Sequence, residues 1–249
     1  MKFYTCSKTA RPVRLSEETR RFAYDSIYKF KYGLQTEACG GVSLDEIENL
    51  ESLSPLEKYD VAISEIAAHA PLRICPGEKV SGAATLGAAI GYCVPALYKG
   101  SPLFAGVNHL TADFETILKI GYRGLKEKIA LASARCTQPE KRPFYKSLAR
   151  AVDSFALWHR RYIEALKNQP GCEANYQNLC RVPEYGAASF YEAVQSIWFT
   201  FAFMRLCGYW PGIGRLDVLL GDYLKRDLAD GKLSLDNARE ILAHFFIKV

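Results

Sequence analysis

Apolar residues recur at helical spacing along most of this chain, and the caps that bound each run are often explicit. Ser16 precedes a predicted helix to about Tyr32, with Phe22, Ala23, Ile27 and Phe30 on one side. Ser54-Pro55-Leu56-Glu57 is a full N-terminal signature: a capping serine, proline at the first helical position and glutamate at the third. It opens a helix that turns Tyr59, Ile63, Ile66 and Ala67 inward and that Pro71 ends. Thr111 is expected to cap a long helix to about Ala134, with Phe114, Ile117, Leu118, Gly121, Leu125 and Ile129 on one face and Lys119, Arg123, Lys126 and Glu127 opposite. A further helix runs from about Pro143 to Lys167 with Leu148, Val152, Phe155, Ile163 and Leu166 in line. Gly171 to Gly186 reads as a loop. Ser189-Phe190-Tyr191-Glu192 is a second capping box, opening a helix through Leu206 that is apolar nearly all round. Arg215 to Asp230, stopped by Gly231, and a last helix capped by Ser234 complete the pattern.

Between Gly77 and Gly106 the helical period disappears. Six of the eighteen glycines fall here with Pro76, Pro95 and Pro102 close by, so this stretch is expected to be irregular or short-stranded. Such a passage is either a functional loop system or a packed irregular connection. At the other end, Leu235, Ala238, Ile241, Leu242, Phe245 and Phe246 keep helical spacing up to Val249 with no Gly, Asn or Pro to close the segment. That pattern predicts packing against further chain, and so a front portion of a longer protein spanning 1–249 without an internal domain boundary.

Composition narrows the classes. A hydrophobic content of 49% supports a packed core, and a net charge of +5 without any Lys/Arg block argues against nucleic acid. Cys6, Cys39, Cys75, Cys93, Cys136, Cys172, Cys180 and Cys207 contain no Cys-x-x-Cys pair, so neither a zinc site nor a compact disulfide framework is expected. Residues Met1 to Ser7 lack an apolar signal core, and the apolar run Ala193 to Met204 is too short for a membrane span. Free thiols in the cytoplasm, with no membrane partner, are the expectation.

Three passages together resemble the glycyl radical enzymes, the superfamily of pyruvate formate-lyase, glycerol dehydratase and choline trimethylamine-lyase. Gly106-Val107-Asn108-His109-Leu110-Thr111-Ala112-Asp113-Phe114, followed by Ile117-Leu118-Lys119-Ile120-Gly121-Tyr122-Arg123-Gly124-Leu125, resembles the family's Gly-x-x-His-x-x-x-Asp-Tyr segment, with Phe114 for the usual tyrosine. Ser189-Phe190-Tyr191-Glu192-Ala193-Val194-Gln195-Ser196-Ile197-Trp198-Phe199 resembles its Ser/Thr-Phe-x-Glu-Ala-Leu-Gln-x-x-Trp-Phe. Gly214-Arg215-Leu216-Asp217 through Tyr223, Asp227, Gly231 and Lys248 is similar to a third segment, and Pro76-Gly77-Glu78-Lys79-Val80-Ser81-Gly82 is a weaker echo. The order matches from about residue 70 onward.

The resemblance implies a fold: a predominantly α-helical chain with a few short strands, the N-terminal portion of a ten-stranded α/β barrel. It implies chemistry as well. An activating enzyme that uses S-adenosylmethionine and an iron–sulfur cluster installs a glycyl radical, which passes to a cysteine whose thiyl radical takes hydrogen from a small polar substrate. This chain departs from that pattern. The family's Gly-Cys-x-Glu and Arg-Val-x-Gly-Tyr loops lie beyond the Lys248 region, Gly171-Cys172-Glu173 is one residue too tight, and Arg181-Val182-Pro183-Glu184-Tyr185 has Glu184 where glycine must stand. The chain is therefore expected to carry no catalytic residue and no bound cofactor. Its expected partners are the C-terminal portion, the activating enzyme, a small-molecule substrate and a second copy in a homodimer.

His109 and Asp113 are the candidate substrate-binding residues, since in the dehydratase and lyase branches side chains near here help to hold a leaving group. Histidine suits that task because it exchanges a proton near neutral pH. The plainer alternatives are a core hydrogen bond for His109 and a helix-dipole role for Asp113. Arg215 and Asp217 read as a salt-bridged helix start, His69, His159 and His244 carry no ligand spacing, and Asp222 and Asp227 read as a solvated face. Elimination from a diol, amino alcohol or hydroxylated amino acid is favoured over acyl transfer. The competing classes are a non-catalytic helical partner-binding protein on the same scaffold, and one half of a split enzyme.

Overall fold

The computed structural model describes residues 14–25, 41–82, 96–104, 110–209 and 211–248. Among them are eight α-helices: α1 (Glu17–Ala23), α2 (Pro55–His69), α3 (Phe114–Arg135), α4 (Arg142–Leu166), α5 (Glu173–Leu179), α6 (Phe190–Leu206), α7 (Leu216–Ala229) and α8 (Leu235–Lys248). Three short strands, β1 (Val42–Ser43), β2 (Ala96–Tyr98) and β3 (Ser101–Pro102), form one small sheet in which β1 runs parallel to β2 and β2 antiparallel to β3.

The caps explain where helices start. Ser16 accepts from the Thr19 amide, and Ser54 and Glu57 form the reciprocal capping box read from the sequence. Ser189 accepts from the Glu192 amide, while the Glu192 carboxylate closes back on the Ala188 amide at 2.6 Å and on Arg181 at 3.1 Å. Ser234 Oγ accepts from the Asn237 amide.

Four expectations are corrected. Asp113, not Thr111, caps α3, because Thr111 is taken up in a parallel bridge with Gly212. The interval 171–186 contains α5, a helix too short to show periodicity and one whose Asn175 and Asn178 point inward. Asp227 is no solvated residue: it is buried, and its Oδ2 accepts from the Phe190 amide at 2.6 Å, which satisfies an orphan donor at the start of α6.

The fourth correction is within α3. Gly121 adopts φ +63° and ψ −178°, and the helix is broken there. The segment after the Val182–Pro183 cis peptide fills the break: the Tyr122 and Arg123 amides donate to Pro183 O (2.9 Å) and Glu184 O (3.1 Å), and the Ala187 amide donates to Leu118 O (2.8 Å). A Cβ on Gly121 would stand 2.2 Å from Glu184 O, and one on Gly186 2.2 Å from Lys119 O. Two backbones meet where no side chain fits, and glycine is the residue that allows it.

Helix α6 is apolar all round because it lies between two cores. One side gives Phe199 and Phe203 to a cluster with Phe155, Trp158 and Tyr162 of α4, the inner face of α2, and β1 and β2. The other gives Trp198 and Phe201 to a cluster with Phe114, Leu220, Ile241 and Phe245 of α3, α7 and α8. None of the helices in the described residues is long and apolar enough to cross a membrane.

Candidate functional site

His109 lies outside the described residues. The described chain resumes at Leu110, whose carbonyl accepts from the Gly212 amide at 3.2 Å beside the Thr111–Gly212 bridge. Two chain segments therefore run parallel here, one leading into α3 and the other into α7. Asp113 sits at the end of the first, exposed, with both carboxylate oxygens engaged: Oδ1 accepts from the Thr116 amide (3.1 Å) and Oδ2 from Thr116 Oγ1 (2.6 Å). Those bonds hold its carboxyl below the usual range, so it is ionised at neutral pH and complements the α3 N-terminus. At the end of the second segment, Arg215 donates to both oxygens of Asp217 at 2.8 and 2.5 Å, an exposed fork that holds the Asp217 carboxyl near about 2. The salt-bridged helix start anticipated from spacing is present.

Asp113 and Thr116 stand at the edge of a cleft of about 470 Å³ whose walls are apolar, among them Ile63, Ile129, Val152 and Phe203. It offers shape and little chemistry. Among the described residues no three His, Cys, Asp or Glu side chains gather as metal ligands, and Cys75, Cys136, Cys172, Cys180 and Cys207 are free thiols.

The polar groups that do come together lie elsewhere, around residues 78–82. Lys248 and Glu78 form an ion pair of 2.6 Å with side-chain exposures of 0% and 1%. Burial pushes the Glu78 carboxyl up, opposed by the Lys248 ammonium. The irregular backbone that follows is bonded to side chains. Ser81 donates its amide to Gln195 Oε1 (2.9 Å), and its carbonyl accepts from Gln195 Nε2 (2.6 Å). Tyr191 OH donates to Lys79 O, Trp198 Nε1 to Gly82 O, and Asn175 Nδ2 to Ser81 Oγ at 2.7 Å. Gln195 thus acts as a strand partner would, pairing one residue's donor and acceptor together. Tyr191, Gln195 and Trp198 all lie in the Ser-Phe-x-Glu-Ala passage, and Glu78 and Lys248 come from two others. Sequence reasoning placed these motifs in order without seeing that they bind one another.

Of the histidines, His159 is buried with Nε2 donating to Leu179 O (2.8 Å) and Nδ1 accepting from Tyr122 OH (3.1 Å); burial pushes it down to about 4, so it is a neutral core group.

Known proteins resemble this chain in sequence or in fold. Residues 92–249 match the family model described as pyruvate formate lyase-like. An isethionate sulfite-lyase from Nitratidesulfovibrio vulgaris is 33% identical over 149 residues, 52% of this chain and 18% of that enzyme. A structure solved for 1,2-propanediol dehydration in Roseburia inulinivorans superposes with a TM-score of 0.77 at 20% identity, covering 96% of this chain and 40% of that one. The glycerol-bound B12-independent glycerol dehydratase from Clostridium butyricum gives 0.74 at 16% identity, with the same shares covered. The chain spans less than half the length of each of these relatives and covers part of the barrel of the solved ones. It belongs to the pyruvate formate lyase-like family of glycyl radical enzymes.

Proposed function

We propose that this chain supplies the helical layer and the leaving-group loop of a glycyl radical lyase or dehydratase that acts on a small polar substrate by elimination. The observation that carries the reading is the pairing of residues 110–112 with 211–213. It sets side by side the two segments whose motifs match the family, with His109 four residues ahead of the α3 cap. Support for elimination over acyl transfer comes from the relatives: an isethionate sulfite-lyase by sequence, and propanediol, glycerol and hydroxyproline dehydratases by fold.

In this reading His109 holds the departing group and exchanges a proton with it, as an imidazole can near neutral pH. Asp113 has a positioning role. Its two oxygens are committed to Thr116, so it fixes the start of α3 and with it the end of the His109 loop. The glycyl radical, installed by an S-adenosylmethionine-dependent iron–sulfur activating enzyme, supplies hydrogen abstraction through a cysteine; both residues belong to a part of the family's sequence outside this chain. Residues 1–249 alone are then inactive, and their partners are that remaining portion, the activating enzyme and the substrate, in the cytoplasm.

Reading the genomic DNA that follows the Val249 codon tests this directly. An in-frame Gly-Cys-x-Glu loop with a later Arg-Val-x-Gly-Tyr, in this gene or in a neighbouring one, is the expected result. A stop codon with neither motif nearby would overturn it.

A further inference from the structure

Four helices face one another across the apolar cleft of about 470 Å³ that lies beside the paired 110–112 and 211–213 segments. Helix α2 contributes Ile63, α3 Ile117, α4 Leu148 and Ala151, and the last turn of α6 Met204. Asp113 is the one charged residue on these walls, and both of its oxygens are already held by Thr116. The mouth is apolar too. Tyr59 has the Phe104 ring edge-on at 5.2 Å and the Tyr209 ring at 6.2 Å. Phe104 is 39% exposed, and Leu110, two residues ahead of Ala112 in the wall, is 78% exposed. A concave apolar surface continued by exposed apolar side chains is a seat for another apolar surface.

We propose that this cleft seats an apolar segment of the remaining portion of the protein, so that assembly of the two portions closes on the start of α3. The proposal rests on the reading that this chain supplies part of a larger enzyme. Two observations select the occupant. The chain superposes over 96% of its own length on solved relatives yet covers only 40% of each, so most of that fold is supplied by chain outside these residues. The walls also suit no other candidate. A small polar substrate needs convergent hydrogen-bonding groups, which apolar walls do not offer. A second copy in a two-fold contact would set one hollow against another. Ala112 and Thr116 belong both to the wall and to the start of α3, so a seated segment touches the cap on the chain leading from His109 into that helix.

Filling the seat from within separates these occupants. Ala151 is half-buried in the α4 wall, and Ala151→Trp places an indole in the cleft. In the 249-residue chain that indole buries apolar surface, and the thermal midpoint should rise by about 3 °C. In the complete gene product it competes with the seated segment, and the midpoint should fall by about 3 °C or assembly should fail. A midpoint that moves the same way in both proteins overturns the docking. So does a 249-residue chain that is dimeric by light scattering and becomes monomeric in the variant, which would put a second copy in the seat. If the variant does not fold, the wild-type proteins decide with the dye anilinonaphthalenesulfonate. Fluorescence enhancement by the 249-residue chain and about tenfold less by the complete protein supports the docking, and equal enhancement refutes it. A gene that encodes no remaining portion is seen in the DNA and removes the parent reading, so that failure is told apart from failure of the docking itself.

Discussion

The two regions that carry family motifs are built in opposite ways. Around residues 78–82, side chains from the motif passages are buried or half-buried and spent inside the protein: Glu78 on Lys248, Gln195 on the Ser81 backbone, Tyr191 and Trp198 on backbone carbonyls. Around 110–113 and 211–217, the described motif side chains are exposed and make bonds within three residues of themselves: Asp113 to Thr116, Arg215 to Asp217. The first region fixes how helices and chain segments sit together. The second pairs two short segments just ahead of two helices and leaves their polar side chains in solvent. Recurrence of a motif across a family therefore carries two meanings here, and burial separates them.

Substitutions can break or sharpen this contrast. The largest effect is expected at the interlock in α3. Gly121→Ala must relieve both a positive φ and a Cβ 2.2 Å from a carbonyl oxygen, and should lower stability by about 4 kcal/mol or prevent folding, as read by chemical denaturation. Lys248→Met comes next. It strands Glu78 in the core, and a loss of about 3–5 kcal/mol is expected. The double variant Glu78→Gln/Lys248→Met should recover part of that, because breaking a buried pair costs more than replacing it; no recovery would mean that the two side chains act separately.

On the exposed side the effects shrink. Asp113→Ala removes a cap and should cost about 1 kcal/mol, while Asp113→Asn, which still accepts from the Thr116 amide, should cost less. Arg215→Ala should leave stability unchanged in chemical denaturation, since the fork is exposed and screened. A clear loss there would mean that the exposed region holds the fold together as the buried one does.

The outline was legible in the sequence wherever a local rule decided it. Ser16, Ser54, Ser189 and Ser234 cap the helices they were expected to cap, because a hydroxyl three residues before an amide is a local fact. The misreadings arise where distant chain intervenes. Thr111 loses the cap to Asp113 because Gly212 pairs with it, Asp227 is buried because the Phe190 amide needs an acceptor, and α3 breaks at Gly121 because residues 183–187 supply the hydrogen bonds that the helix gives up. The side-chain grip on 79–82 joins residues more than ninety positions apart, such as Asn175 and Ser81, and no periodicity reports such a pairing. Of the candidate site, Asp113 is seen and is a cap; His109 was read from its motif alone.

The most direct measurement is anaerobic electron paramagnetic resonance paired with turnover, on the complete gene product after treatment with its activating enzyme and S-adenosylmethionine. The proposed function predicts a glycyl radical signal with turnover of a small polar substrate by elimination, and His109→Ala should keep the signal while slowing turnover by about a hundredfold or more. A complete gene product that forms no radical, or a His109→Ala variant that turns over at the wild-type rate, would contradict the account.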